Sequence, residues 1–119
     1  MNLSLVDISG SVLVISQFTL CADTRKGRRP SFVNAESPEL SKKLYNKFIS
    51  CLEDKGLEVQ SGEFGSNMDV ELVNNGPVTF VLDSEDWIKF LLTGIFSQSN
   101  LNYDVKSRIL NLFVIWNVR

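Results

Sequence analysis

The side chains of this 119-residue chain that could do chemistry fall into short runs. The first is Ser16-Gln17-Phe18-Thr19, where two hydroxyls and an amide follow an apolar stretch. Hydroxyls, an amide and free backbone N–H groups at a strand end can orient an ester and hold its oxyanion. The competing reading is a strand edge that carries a Ser/Thr pair. The second run is Asn74-Asn75-Gly76-Pro77-Val78-Thr79. Asn-Gly signals a hairpin turn, but Pro77 cannot donate to a ladder, and a rigid turn presenting carbonyls suits steric selection. The third is Arg25-Lys26-Gly27-Arg28-Arg29, four cations in five positions. It fits either a phosphate-binding patch with salt-dependent attraction for RNA or a solvated loop.

Other chemistry is excluded by residue type. The chain has no histidine, which removes Ser-His-Asp and Cys-His catalysis, His-ligated zinc and histidine general bases. The acidic pairs Glu53-Asp54 and Glu85-Asp86 lack the features of a buried acid-base dyad and read as surface. No metal-ligand cluster, Walker loop or dinucleotide fingerprint is present, so no metal or cofactor is expected. Cys21 and Cys51 stand 30 positions apart, a usage that fits a reducing compartment.

Length and composition frame these candidates. With 44% apolar and 22% charged residues, the chain reads as one ordinary globular domain. The N-terminus has neither the basic start nor the long apolar core of a signal peptide. The apolar stretches 87–96 and 109–118 fall short of the roughly 18 residues a membrane helix needs. A soluble, cytoplasmic protein with no membrane partner is expected. A net charge of −2 argues against wholesale nucleic-acid coating and points to no DNA partner, while leaving room for a local basic patch.

The elements that must position the candidates follow from periodicity. Val12-Leu13-Val14-Ile15 predicts a strand buried on both faces. Residues 21–36 predict a loop. Ser37-Pro38-Glu39 predicts a helix start, and Leu40, Leu44, Phe48 and Leu52, with Tyr45 and Ile49 beside them, mark the apolar face of about 18 helical residues. Gly56 is the expected terminator. Leu57 to Gln60 reads as a strand, 61–68 as a loop with two glycines framing Phe64, and 69–73 and 77–82 as arms of a hairpin.

From Ser84 the texture changes: both tryptophans lie there, among large apolar residues with few caps or turns. Leu91, Leu92, Ile95 and Phe96 could share a helix face, and 109–116 reads as a helix or a strand. Residues 1–83 hold 8 basic and 11 acidic groups, whereas 84–119 hold 4 and 3. Two units are therefore expected, 1–83 and a tail, 84–119. The tail folds over the sheet, mediates association, or carries no selected function, the last being favoured.

Taken together, Ser16-Gln17-Phe18-Thr19-Leu20, Gly62-Glu63-Phe64-Gly65-Ser66-Asn67-Met68 and Asn74-Asn75-Gly76-Pro77-Val78-Thr79 resemble the D-aminoacyl-tRNA deacylase (D-tyrosyl-tRNA deacylase) family. The stretch Ala22-Asp23-Thr24 through Gly27-Arg28-Arg29-Pro30-Ser31-Phe32 also looks like the family's bacterial form, and the likeness spans residues 1 to about 83. It implies an α+β fold, a β-sheet or barrel with packed helices. The family's opening strands, and an arginine near the site, lie before the point matching Met1, so a sheet lacking those strands is expected.

The resemblance further implies hydrolysis of the ester between a D-amino acid, or mischarged glycine, and the 3′ end of tRNA. Ser16, Gln17, Phe18 and Thr19 would line the catalytic pocket, with backbone N–H groups near Phe18 and Thr19 holding the oxyanion. Phe64 and Met68 would wall the adenosine or aminoacyl site. Gly76 and Pro77, followed by Val78 and Thr79, would cross into the partner's pocket of a homodimer and exclude L side chains. Arg25, Lys26, Arg28 and Arg29 would meet tRNA. Either Thr19 or the 2′-hydroxyl of the terminal adenosine would drive the reaction. A second reading, of another class, is an inactive fragment that serves only in dimerisation or RNA binding.

Overall fold

The computed structural model of the chain describes residues 2–73, 80 and 112–116. Its order is β1 (Ser11–Ser16), a 3-10 turn (Phe18–Cys21), α1 (Pro38–Glu53), β2 (Glu58–Ser61) and β3 (Leu112–Trp116). The α+β expectation holds at this level, with one helix against one sheet. Among the described residues no helix is long and apolar enough to cross a membrane.

The apolar run of β1 makes it the central strand of a three-stranded sheet ordered β2-β1-β3. β2 pairs with it in parallel, from Ser11↔Glu58 to Val14↔Ser61. A parallel neighbour requires a crossover, and α1 supplies it. On the other edge β3 runs antiparallel, from Val12↔Trp116 to Ser16↔Leu112. That strand falls in the stretch for which helix and strand were both open, and it covers the edge of β1 that would otherwise stand unpaired. The expected face of residues 91–96 and the hairpin arm 77–82, apart from Phe80, lie outside the described residues.

Val12 and Val14 point to α1 and form the core with Tyr45, flanked by Phe48, Ile49, Leu52, Val59 and Phe64. The helix begins at the expected Pro38, but Ser37 makes no side-chain cap; its backbone N–H donates to the Glu36 carboxylate at 2.6 Å. The buried face centres on Tyr45, while Leu40 stays 37% exposed. The helix ends two residues earlier than the predicted span, at 16 residues. Gly56 then turns the chain at φ +79°, a conformation that favours glycine.

Residues 69–73 differ from expectation. Their polar–apolar alternation suggests a strand, yet they form none, and Val70, Leu72 and Val73 are exposed. Alternation describes a strand's two faces, but a strand exists only where a ladder partner satisfies its backbone. Among the described residues none pairs with this segment.

Candidate active site

The catalytic candidates sit where β1 stops. Ladder pairing ends at Ser16, and Gln17 (φ −146°, ψ 88°) leads straight into the 3-10 turn. That change of direction moves the chain from core to surface within three residues: Ile15 is buried, Ser16 and Gln17 are half-buried, and Phe18 and Thr19 are exposed. The Gln17 side-chain amide donates to the Thr19 hydroxyl oxygen. The Phe18 ring meets Phe32 edge-on, with centroids 5.0 Å apart. The turn closes through Leu20 N–H to Gln17 O (3.5 Å) and Ala22 N–H to Thr19 O (3.1 Å). The N–H groups of Phe18 and Thr19 head that turn, where no preceding carbonyl of the turn can reach them.

Phe64 and Met68 reach the same end of the sheet by different sides. Phe64 lies against Tyr45, ring centroids 5.6 Å apart, on the helix side with Val14. Met68 lies over Gly62 beside Ile15: a β-carbon at Gly62 would stand 2.6 Å from Met68 Sδ and 3.0 Å from Ile15 Cδ1. Since successive strand residues point to opposite faces, Ile15 and Met68 occupy the face away from α1. Phe64 is thus on the helix side of this junction and Met68 on the side of Ile15. Gly76, Pro77, Val78 and Thr79 lie outside the described residues.

Tyr45 was legible only as part of a helical apolar face, yet it anchors this junction. Its hydroxyl lies 2.9 Å from Val14 O and 3.1 Å from Gly62 O. Gly62 N–H also donates to Val14 O at 3.1 Å. Helix, strand and the 62–68 loop are thus tied at one carbonyl, immediately before the candidate segment Ser16–Thr19. Burial, the largest cause, pushes the Tyr45 phenol above its ordinary value, with hydrogen bonds from Ser61 and Gly62 opposing it.

The basic run forms a pinned loop. Asp23 N–H donates to Ser31 O (2.8 Å) and Ser31 N–H donates back (2.9 Å), closing the base. Gly27 sits at φ +77° near the tip. Arg25 is not a loose cation: its Nε and Nη2 donate to the two Asp23 carboxylate oxygens at 2.9 and 2.7 Å, and its backbone N–H donates at 3.0 Å. Its side chain is nonetheless 83% exposed. Lys26, Arg28 and Arg29 are exposed beside it. Asp23 is the residue that composition-based reading passes over; the Asp-x-Arg spacing is the signal that could have found it. Among the described residues no three metal-ligating side chains come together.

The guanidinium hydrogen bonds, then the Arg25 backbone N–H, hold the Asp23 carboxyl well below the usual carboxylate range, and Arg25 is raised in return. A depressed folded value means the pair contributes fully above the ordinary carboxylate pKa of about 3.9 and is lost only as pH falls through the lower folded value. An NMR titration is therefore expected to show no Asp23 transition between about pH 5 and pH 3, the range where a free carboxylate titrates. A midpoint inside that range would mean the pair is not formed in solution.

Comparison with known proteins shows the family of the chain. The family described as D-Tyr-tRNA(Tyr) deacylase matches residues 1–83. A D-aminoacyl-tRNA deacylase of Clostridium botulinum (strain Alaska E43 / Type E3) is 58% identical over 84 residues, covering 71% of this chain and 56% of that protein. A D-aminoacyl-tRNA deacylase of Thermosipho africanus (strain TCF52B) is 54% identical over 85 residues, 71% of this chain and 57% of that protein. A Bacillus subtilis (strain 168) protein described as an inactive D-aminoacyl-tRNA deacylase is also 54% identical over 85 residues, 71% of this chain and 64% of its own. The chain spans little more than half the length of the first two relatives. Ser16–Thr19, the basic loop and the 62–68 segment all fall within the matched residues, and the chain belongs to the D-Tyr-tRNA(Tyr) deacylase family.

Proposed function

We propose that the chain hydrolyses the ester of D-aminoacyl-tRNA, and of glycine mischarged on tRNA, releasing the amino acid and free tRNA. The observation that carries this reading is the junction after β1, where hydroxyls, an amide and the N–H groups that head the 3-10 turn emerge at the surface, followed in sequence by a basic loop. The Phe18 and Thr19 N–H groups would stabilise the oxyanion that forms as the ester carbonyl is attacked. The Thr19 hydroxyl is held by a donated amide N–H, and an amide N–H cannot take its proton. That supports the substrate's own 2′-hydroxyl, rather than Thr19, as the driver of hydrolysis, with the protein supplying position and dipoles. Lys26, Arg28 and Arg29, with Arg25, would meet the tRNA phosphates.

The same reading takes the fold as the family's deacylase fold over residues 1–83, and the active form as a cytoplasmic homodimer. In it Gly76 and Pro77 would reach the partner's pocket and exclude L side chains, a selection by obstruction rather than attraction. A specific observation favours a second reading: a relative 54% identical is described as inactive. In that case the chain would serve in dimerisation or RNA binding alone.

Incubation with D-Tyr-tRNA separates the two. The folded chain is expected to deacylate it above the buffer rate and to leave L-Tyr-tRNA intact. Thr19→Ala is expected to lower the rate on the order of tenfold or less, the loss of one neutral hydrogen bond in a positioning role. Pro77→Ala is expected to relax the D/L preference. No deacylation by folded protein would leave only the binding reading.

A further inference from the structure

Immediately after Ser16–Thr19 the surface forms a shallow, open cleft of about 310 Å³. The buried Cys21 lines it together with Asp23, Thr24, Arg25 and Asn34. Leu20, the residue after Thr19, also lines it, so a ligand there would adjoin an ester held at Ser16–Thr19. Thr24, Arg25 and Asn34 among its lining residues carry a hydroxyl, a guanidinium and an amide, donors that suit phosphate oxygens and ribose hydroxyls. From Asp23 to Arg29 the loop holds four cations and one carboxylate, within a unit, 1–83, that is net acidic.

We propose that this cleft is a subsite for the sugar-phosphate backbone of the RNA strand leading to the scissile ester, and that Asp23 is the positioning residue that aims Arg25 into it. This rests on the tRNA-directed reading above and deepens it.

The single carboxylate is the discriminating feature. Set among phosphate-binding cations, it should weaken attraction for RNA if the loop acts only by net charge. The geometry assigns it the opposite effect. Asp23 takes one edge of the guanidinium through Nε and Nη2, leaving the rest of a planar, five-donor group facing solvent in a fixed orientation. The backbone bridge to Ser31 uses no side-chain atom of Asp23, so the loop's base survives loss of the charge. Orientation paid for in advance costs less when the RNA binds.

The test measures binding of an uncharged acceptor-stem RNA hairpin ending in single-stranded CCA to the full chain, by fluorescence anisotropy at two salt concentrations. Arg25→Ala is expected to weaken binding about tenfold and to reduce the salt slope by about one. Asp23→Asn, which makes the loop more positive, is expected to weaken binding about threefold, and Arg25→Lys, which keeps the charge but not the fork, to do the same. Lys42→Ala, on the exposed side of α1, serves as the control for a general charge effect. Circular dichroism melts verify that each variant is folded.

Equal or tighter binding by Asp23→Asn overturns the positioning role, and unchanged binding by Arg25→Ala overturns the subsite. Displacement of the hairpin by inorganic phosphate at comparable concentration assigns the cleft to free anions and overturns the RNA assignment. A wild-type chain that binds no hairpin overturns this proposal together with the tRNA-directed reading. Because the hairpin carries no amino acid, absence of deacylation leaves the binding result independent.

Discussion

A chain ended after Asp83 is expected to lose most of its stability and to self-associate. β3 lies outside the family-matched residues, yet it pairs with β1 along Val12 to Ser16. Among the described residues, β1 contributes the two fully buried side chains of the core, Val12 and Val14. Removing β3 strips several backbone hydrogen bonds from that strand, each worth a net of about 0.5–1.5 kcal/mol. A loss of a few kcal/mol is a large share of the roughly 5–15 kcal/mol that holds a domain folded. For a unit of this size it corresponds to a fall in melting temperature of roughly 10–20 °C.

The exposed edge would then be a template for another copy, since an unpaired apolar strand recruits strands. Sedimentation velocity is expected to show dimers or larger species for the cut chain. In the full chain Val114→Pro, which removes a backbone donor within β3, should reproduce part of the loss. A peptide covering residues 109–118 should restore the melt when added to the cut chain. A cut chain that stays monomeric with an unchanged melt would show that β3 does not complete the sheet in solution. It would also favour the reading of residues 84–119 as a tail with no selected role.

Tyr45→Ala is the point substitution expected to cost most, about 3–5 kcal/mol by analogy with other large aromatic truncations in cores. Tyr45 is 4% exposed and is the one helix residue that reaches both Val14 O and Gly62 O. Tyr45→Phe isolates the hydroxyl: it keeps the ring against Phe64 and removes the donor, at an expected cost of about 1–3 kcal/mol. Chemical denaturation reads both. A Phe variant as stable as wild type would mean that Gly62 N–H alone satisfies the Val14 carbonyl.

The pH dependence gives an independent readout. Burial raises the Tyr45 phenol above its ordinary value of 10.0, so the folded chain holds that proton more tightly than the unfolded chain. The stability is fully present below pH 10 and falls as pH rises from there toward the higher folded value. Tyr45→Phe is expected to remove that alkaline decline, leaving only what other groups contribute. Because Tyr45 closes the junction from which Ser16–Thr19 emerges, the Phe variant should also loosen that segment. Faster hydrogen exchange at residues 16–19 would report it.

Much of this arrangement was readable in one dimension. The Val12–Ile15 run, the Ser-Pro-Glu helix start, Gly56 and the Leu57–Gln60 strand all correspond to observed elements within a residue or two. Each is written in local chemistry: β-branched runs, a proline at the first helical turn, a glycine where φ turns positive. The three motifs likewise identified the family before any geometry was known. The 69–73 segment was misread because alternation specifies faces and not a partner. The exposed Leu40 was misread because helical spacing marks an apolar stripe but not how far the sheet beneath extends.

The sequence by itself determined which chemistry is available: no histidine, hydroxyls and an amide after an apolar strand, and a concentrated basic loop. It also determined the elements that carry those groups, since their signals span only a few residues. Tertiary structure alone decided that a strand from residues 112–116 covers the far edge of β1. It decided that Phe64 packs against Tyr45 while Met68 packs over Gly62 beside Ile15, and that Tyr45 ties three segments at one carbonyl. The physical reason is the same in each case. Periodicity and capping act between near neighbours, whereas pairing and burial depend on which distant backbone arrives alongside.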